Sequence, residues 1–210
     1  MAEVDVPSPG VTSSSDGGEI YIKGQPVNNI QAETVTLQYG DAGDIQAKTV
    51  YVSRAGANQI KAETVELRQA GAQTVQGGSV SVRQGGIVQA RADTLSMVQG
   101  GIVFAEIKEG HLTASNAGAI LAGGNVALDQ SAAKAVLTRG DVTMEQSGAG
   151  LLLARNVQAG NNNGVVLLVA GRVEGPVNAV FGPASSLAFG AAFAVVLALI
   201  LWLKHRLTAA

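Results

Sequence analysis

Chemistry needs nucleophiles, proton carriers or metal ligands held together, and this chain of 210 residues carries few of them. It has two histidines, His111 and His205, and no cysteine. Without cysteine there is no disulfide, no thiolate nucleophile and no thiolate metal ligand. Neither histidine has a carboxylate, a serine or a second histidine at a spacing that would build a triad or a metal site. His111 follows Gly110 at a position expected to face solvent, and His205 belongs to the basic cluster Lys204, His205 and Arg206. Asp41, Asp44, Asp93, Asp129 and Asp141 share no column of the repeat described below, whereas calcium-binding solenoids repeat aspartate at a fixed corner. Segments such as "QGG" never open a helix with Lys and Ser or Thr behind them, so they do not read as phosphate loops. With 14 basic and 16 acidic residues spread along the chain, no basic face invites nucleic acid. The expectation is a protein that is not an enzyme, with no cofactor, no metal and no small-molecule substrate.

What the chain has instead is a period. Ile30, Ile45 and Ile60 stand fifteen residues apart, as do Val35, Val50 and Val65. In lines of fifteen, one column reads Ile20, Val35, Val50, Val65, Val80 and Leu95. The column two residues on reads Ile22, Leu37, Val52, Leu67, Val82, Met97 and Leu112. Residues two apart on a strand face one side, so each line offers an apolar pair to a shared interior. Between them runs a mostly polar column, Tyr21, Thr36, Tyr51, Glu66, Ser81 and Ser96, which must face out. A second inward pair is Ile30, Ile45, Ile60, Val75 and Ala90 with the small residues Ala32, Ala47, Ala62, Gly77 and Ala92. A third inward column, Val27, Ala42, Ala57, Ala72, Ile87, Ile102 and Ala117, lies among Gly40, Gly56, Gly71, Gly85, Gly86, Gly100 and Gly101, which read as turn residues. The register shifts by one between Ala122 and Val126. It then resumes with Val126 and Leu128, Val142 and Met144, Val157 and Ala159, and Val173.

Units this short bury nothing alone and are stable only when stacked. Aromatics are only 4% and Gly numbers 27, which suits a thin interior of Val, Ile, Leu and Ala rather than a large core. The predicted fold is therefore all-β, a single-stranded three-sided β-solenoid over 19–177. Pattern counting suggests about eleven coils, and at ~4.8 Å per coil the rod is roughly 50 Å long. Outward columns stack as well. Glu33, Lys48 and Glu63 alternate in sign, and Gln69, Gln84 and Gln99 are placed to form an amide ladder. Thr34, Thr49, Thr64, Ser79 and Thr94 form a hydroxyl column, and in this the chain resembles the fifteen-residue coils of insect ice-binding proteins. The neighbouring column, Thr36, Tyr51, Glu66, Ser81 and Ser96, lacks the second threonine file that those proteins present. The acyltransferase β-helices, with coils of eighteen, do not match the period.

The phrases "IQAETV", "IQAKTV", "IKAETV" and "VEGPV", an apolar residue, a spacer and a small inward residue, resemble the repeats of the bactofilins over about 20–177. The resemblance implies a β-helical cytoskeletal protein that assembles end to end into filaments and, in some members, attaches to membranes. The chain departs from that family in its shorter coil and in the position of its apolar segment.

That segment lies at the far end. Residues 1–18 are rich in Pro, Ser and Gly with no apolar run, and read as a disordered tail rather than a signal peptide. From Gly175 to Leu203 there is no charge. After a linker at 178–186, the expectation is one transmembrane helix with a basic flank over 187–206, since about twenty helical residues span a bilayer core. Its apolar span would comprise Leu187, Phe189, Phe193, Val195, Val196, Leu197, Leu199, Ile200, Leu201 and Leu203. Trp202 would sit at the interface, with Lys204 and Arg206 among the headgroups. Gly190, Ala194 and Ala198 make a small-residue stripe on which membrane helices can pack. The basic flank favours a cytoplasmic C-terminus, but no signal would export the solenoid, whereas passing "KHRLTAA" through a bilayer is easy. The expected arrangement is a single-pass C-terminal anchor with the solenoid cytoplasmic. The expected function is a membrane-anchored scaffold, spacer or self-assembling polymer subunit, whose partners are the membrane and further copies of the chain. The alternative is a binding module using an outward face for a partner protein or for ice.

Overall fold

The computed structural model describes residues 13–14, 18–24 and 26–181. All regular structure there is strand: β1 Ser13–Ser14, β2 Glu19–Lys23, β3 Val27–Gln38, β4 Asp41–Ser53, β5 Gly56–Arg68, β6 Gly71–Arg83, β7 Gly86–Val98, β8 Gly101–Thr113, β9 Asn116–Ala122, β10 Val126–Asp129, β11 Ala132–Thr138, β12 Asp141–Glu145, β13 Gly148–Ala159, β14 Asn163–Glu174 and β15 Val177–Phe181. They form one fifteen-stranded sheet, and every pairing is parallel. Parallel neighbours need a crossover, and here the coil itself supplies it. The fold is a β-solenoid of about eleven turns.

Register follows the sequence columns. Ile30 pairs with Ile45, Ile45 with Ile60, Ile60 with Val75 and Val75 with Ala90. Val35, Val50, Val65, Val80 and Leu95 stack likewise, and all five are at most 1% exposed. A one-residue slip would turn this file outward, so burial holds the alignment. In the coil 41–55, Ala42, Ile45, Val50 and Val52 are buried and Ala47 is half-buried. Alternation holds from Ile45 to Ala47 and from Val50 to Val52. It breaks at Gly43 and Asp44, at Lys48 and Thr49, and at Ser53 and Arg54, where two successive residues lie outside the core. These breaks mark three corners joined by three short flats.

The expected shift is present and has a local cause. Ile107 pairs with Ala122 but Gly110 pairs with Val126, so one extra residue is accommodated around Gly123 and Gly124. That insertion splits the next coil into β9 and β10, and the coil after it, aligned at the same offset, into β11 and β12. At the following coil Asp141 pairs with Asn156, which closes the corner again and lets β13 run unbroken.

The corner glycines do a different job from the one predicted. The left-handed bend falls on a non-glycine file, Tyr39, Arg54, Gln69, Gln84, Gln99, Ala114, Gln130, Gln146 and Asn162, with φ between 48° and 56°. Among the described glycines only Gly24 and Gly175 have positive φ. Gly85 is needed for close approach, because a Cβ there would lie 2.1 Å from the Ala70 carbonyl oxygen. The left-handed residues cost of order 1 kcal/mol each, and their N–H groups recover a bond to the next coil, as in Gln69 to the Arg83 carbonyl at 2.9 Å and Gln84 to the Val98 carbonyl at 3.0 Å.

One inward file is polar. Ser115, Ser131, Ser147 and Asn163 are all at most 4% exposed. Gly100 N–H donates to Ser115 Oγ (3.1 Å), Ser115 N–H to Ser131 Oγ (3.1 Å), Ser131 N–H to Ser147 Oγ (3.1 Å) and Ser147 N–H to Asn163 Oδ1 (3.0 Å). The three hydroxyls donate in turn to the carbonyls of Thr113, Asp129 and Glu145 at 2.7–2.8 Å. A buried polar group is tolerated when its bonds are made, and here each hydroxyl links two coils.

Candidate functional site

Among the described residues the interior is filled by buried apolar side chains, which leaves their outer flats and corners for functional contacts. His111 lies on an outer flat, exposed, with Nε2 3.3 Å from Thr113 Oγ1. No carboxylate hydrogen-bonds to its ring among the described residues, so it lacks the orienting partner a general base requires. Nor do three His, Asp or Glu side chains gather there into a group that could hold a metal ion.

The hydroxyl column is in register. Thr34, Thr49, Thr64, Ser79 and Thr94 stack coil on coil, half-buried at Thr34 and Thr49 and exposed at the other three. Glu109 follows Thr94 and ends it. The flat beside it carries Tyr51, 43% exposed, and Glu66.

The amide ladder forms as its spacing predicts. Gln69 Nε2 donates to Gln84 Oε1 and Gln84 Nε2 to Gln99 Oε1, both at 3.2 Å. Arg54 Nε joins from below through Gln69 Oε1 at 3.1 Å, and its guanidinium also bonds the Tyr39 hydroxyl and lies 5.2 Å from that ring's centre. Arg54, Gln69, Gln84 and Gln99 line an open groove with Arg68 and Arg83. Sequence reading missed this local cationic cluster, because the three arginines average out against acids elsewhere. Arg68 is already paired with Glu66 at 2.7 Å and is exposed, so the groove's pull on an anion is modest.

The charge alternation of Glu33, Lys48 and Glu63 produces no ion pair among the described residues. Cross-coil pairs occur further along, Lys108 with Asp93 at 2.7 Å and Arg91 with Glu106 at 2.8 Å. Glu33, Lys48 and Glu63 are all exposed at a corner, where hydration competes with pairing.

A second feature that sequence reading passed over is an apolar outer face on the later coils. Ala119 pairs with Ala135, Ala135 with Leu151 and Leu151 with Leu167. Beside them Leu121 pairs with Leu137, Leu137 with Leu153 and Leu153 with Val169. Their signal was present in "AIL", "AVL", "LLL" and "LLV", strands apolar on both sides where a solvated flat should alternate.

The predicted anchor residues Leu187 to Arg206 and the stripe Gly190, Ala194 and Ala198 lie outside the described residues. Within the described residues no helix is long and apolar enough to cross a membrane. No family model, no curated protein and no solved structure matches this chain.

Proposed function

We propose that the chain is a structural rod, a membrane-anchored scaffold or polymer subunit whose solenoid is cytoplasmic. One observation carries this reading: among the described residues each coil pairs in parallel with the next, from β1 through to β15. Such a stack resists bending, and a solenoid end left uncovered is a surface on which another copy can add a strand. The uncharged run Gly175–Leu203 supports an anchor at one end. The repeat phrases similar to those of the bactofilins support filament formation as the mode of assembly.

The test is to reconstitute the full chain in lipid vesicles, assay flotation, and image it by negative stain. The reading expects co-flotation and rods, rings or filaments. Protein that stays monomeric in detergent and shows none of these would count against self-assembly, and protein that does not float would count against the anchor.

The in-register hydroxyl column favours a second reading, a binding module for ice. Replacing Thr49 and Thr64 together by Lys would abolish inhibition of ice growth under that reading and leave assembly intact.

A further inference from the structure

The outer face on coils 117–171 has a sharp boundary along the rod. At equivalent positions the early coils carry Gln31, Gln46, Lys61, Gln76, Arg91 and Glu106, and the later coils carry Leu121, Leu137, Leu153 and Val169. Leu121 is 38% exposed, Leu153 41%, Leu167 39% and Val169 50%. A shallow groove runs along Leu121, Leu137 and Leu153 and is also lined by Glu106, Thr138 and Arg139. These residues are vertical neighbours in the sheet, so they form one patch rather than scattered side chains. Single exposed leucines need no explanation, but a continuous patch does.

Charge around the patch is mostly basic: the one acid bordering it, Glu106 beside Leu121, is already paired with Arg91 at 2.8 Å. The segments 117–123, 133–139, 149–155 and 165–171, which make the flat and its two corners, contain no Asp or Glu. They contain Lys134, Arg139 and Arg155, all exposed. Apolar side chains inside a cationic rim are what an anionic lipid surface binds, by shallow insertion and headgroup attraction. Size argues the same way. Four coils at ~4.8 Å by five residues at ~3.3 Å is roughly 300 Å², well short of the ~800 Å² per partner typical of a stable protein interface. Position adds a third argument, because the coils bearing the patch immediately precede the uncharged run that begins at Gly175.

We propose that this face lies on an anionic bilayer, so that the rod's C-terminal coils rest along the membrane instead of standing clear of it. The proposal rests on the membrane-anchored reading above and specifies how the anchored rod is oriented.

The chain has no cysteine, so Leu153→Cys gives a unique site for an environment-sensitive fluorophore. Gln46→Cys, at the equivalent position near the other end, is the control, and Leu121→Cys is a second probe should the first variant not fold. The labelled full chain is reconstituted in phosphatidylcholine vesicles with or without phosphatidylserine and challenged with brominated lipid or aqueous iodide. The expected result is several-fold stronger quenching by brominated lipid at 153 than at 46, greater with phosphatidylserine and reduced by salt. Three outcomes in floating vesicles would overturn the proposal while sparing the anchor: iodide quenching at 153 equal to that at 46; shielding from both quenchers that persists on dilution, which would mean a segment of the same chain covers the face; and shielding lost on dilution, which would mean a second copy does. Failure of the chain to float would overturn both.

Discussion

Ser131 offers the sharpest check on how the later coils are held. Its Oγ accepts the Ser115 N–H at 3.1 Å and donates to the Asp129 carbonyl at 2.8 Å, and the residue is 4% exposed. In Ser131→Ala the Asp129 carbonyl keeps its bond from Ala114 N–H at 2.9 Å, whereas the Ser115 N–H loses its acceptor. Only one oxygen is removed, so the cavity contribution is small and the orphaned donor dominates, at about 1–3 kcal/mol. Taking ~2 kcal/mol, amide exchange at Ser115 should rise roughly 30-fold. Global melting should fall by about 4–8 °C, given ~2–4 °C per kcal/mol for a chain of this size. Thr143→Ala, on an exposed flat, should change melting by under ~0.5 kcal/mol equivalent. Hydrogen exchange read residue by residue, with thermal melting alongside, tests both. Unchanged protection at Ser115 with an unchanged melting point would refute the view that the hydroxyl file ties these coils together.

Ala114 occupies the left-handed file at φ 48° and has no amide side chain to join the ladder. Ala114→Gly should therefore stabilise by about 0.5–1 kcal/mol, visible as a higher melting temperature. Gly175→Ala would place a Cβ 1.9 Å from the Ala159 carbonyl oxygen at φ +90°. It should cost at least ~2 kcal/mol and loosen Val177–Phe181, which limited proteolysis would report. Ile60→Ala, at a fully buried position, should cost about 2–5 kcal/mol. Because each coil contacts only its neighbours, exchange should accelerate around residues 45–75 and much less beyond Gly148.

Much of the coil was legible in advance because the apolar residues recur at intervals that only a stacked coil can bury. Val35, Val50 and Val65 announce an inward file wherever they occur, and the shift after Ala122 shows as a broken interval. The amide ladder was legible for the same reason, since Gln69, Gln84 and Gln99 share a column. The serine file could have been found from Ser115, Ser131 and Ser147, sixteen apart. It was missed because isolated serines between apolar runs look like ordinary loop residues.

By itself, then, the sequence determined the class of fold, the register and which columns face in as far as Val157, because periodic burial is a local property that repeats; Val173, expected to face in, is 38% exposed in the last coils. The tertiary structure decided where each coil bends and what is brought side by side around it. Gln has no intrinsic preference for a left-handed bend, and that bend falls on Gln84 because the coil must close with Gly85 pressed against the Ala70 carbonyl. Leu121, Leu137 and Leu153 become one face only when three coils are laid on one another, and Lys134, Arg139 and Arg155 become its rim by the same stacking. Contacts between residues sixteen apart in sequence but one strand apart in space are set by coil closure, a long-range condition that no single segment encodes.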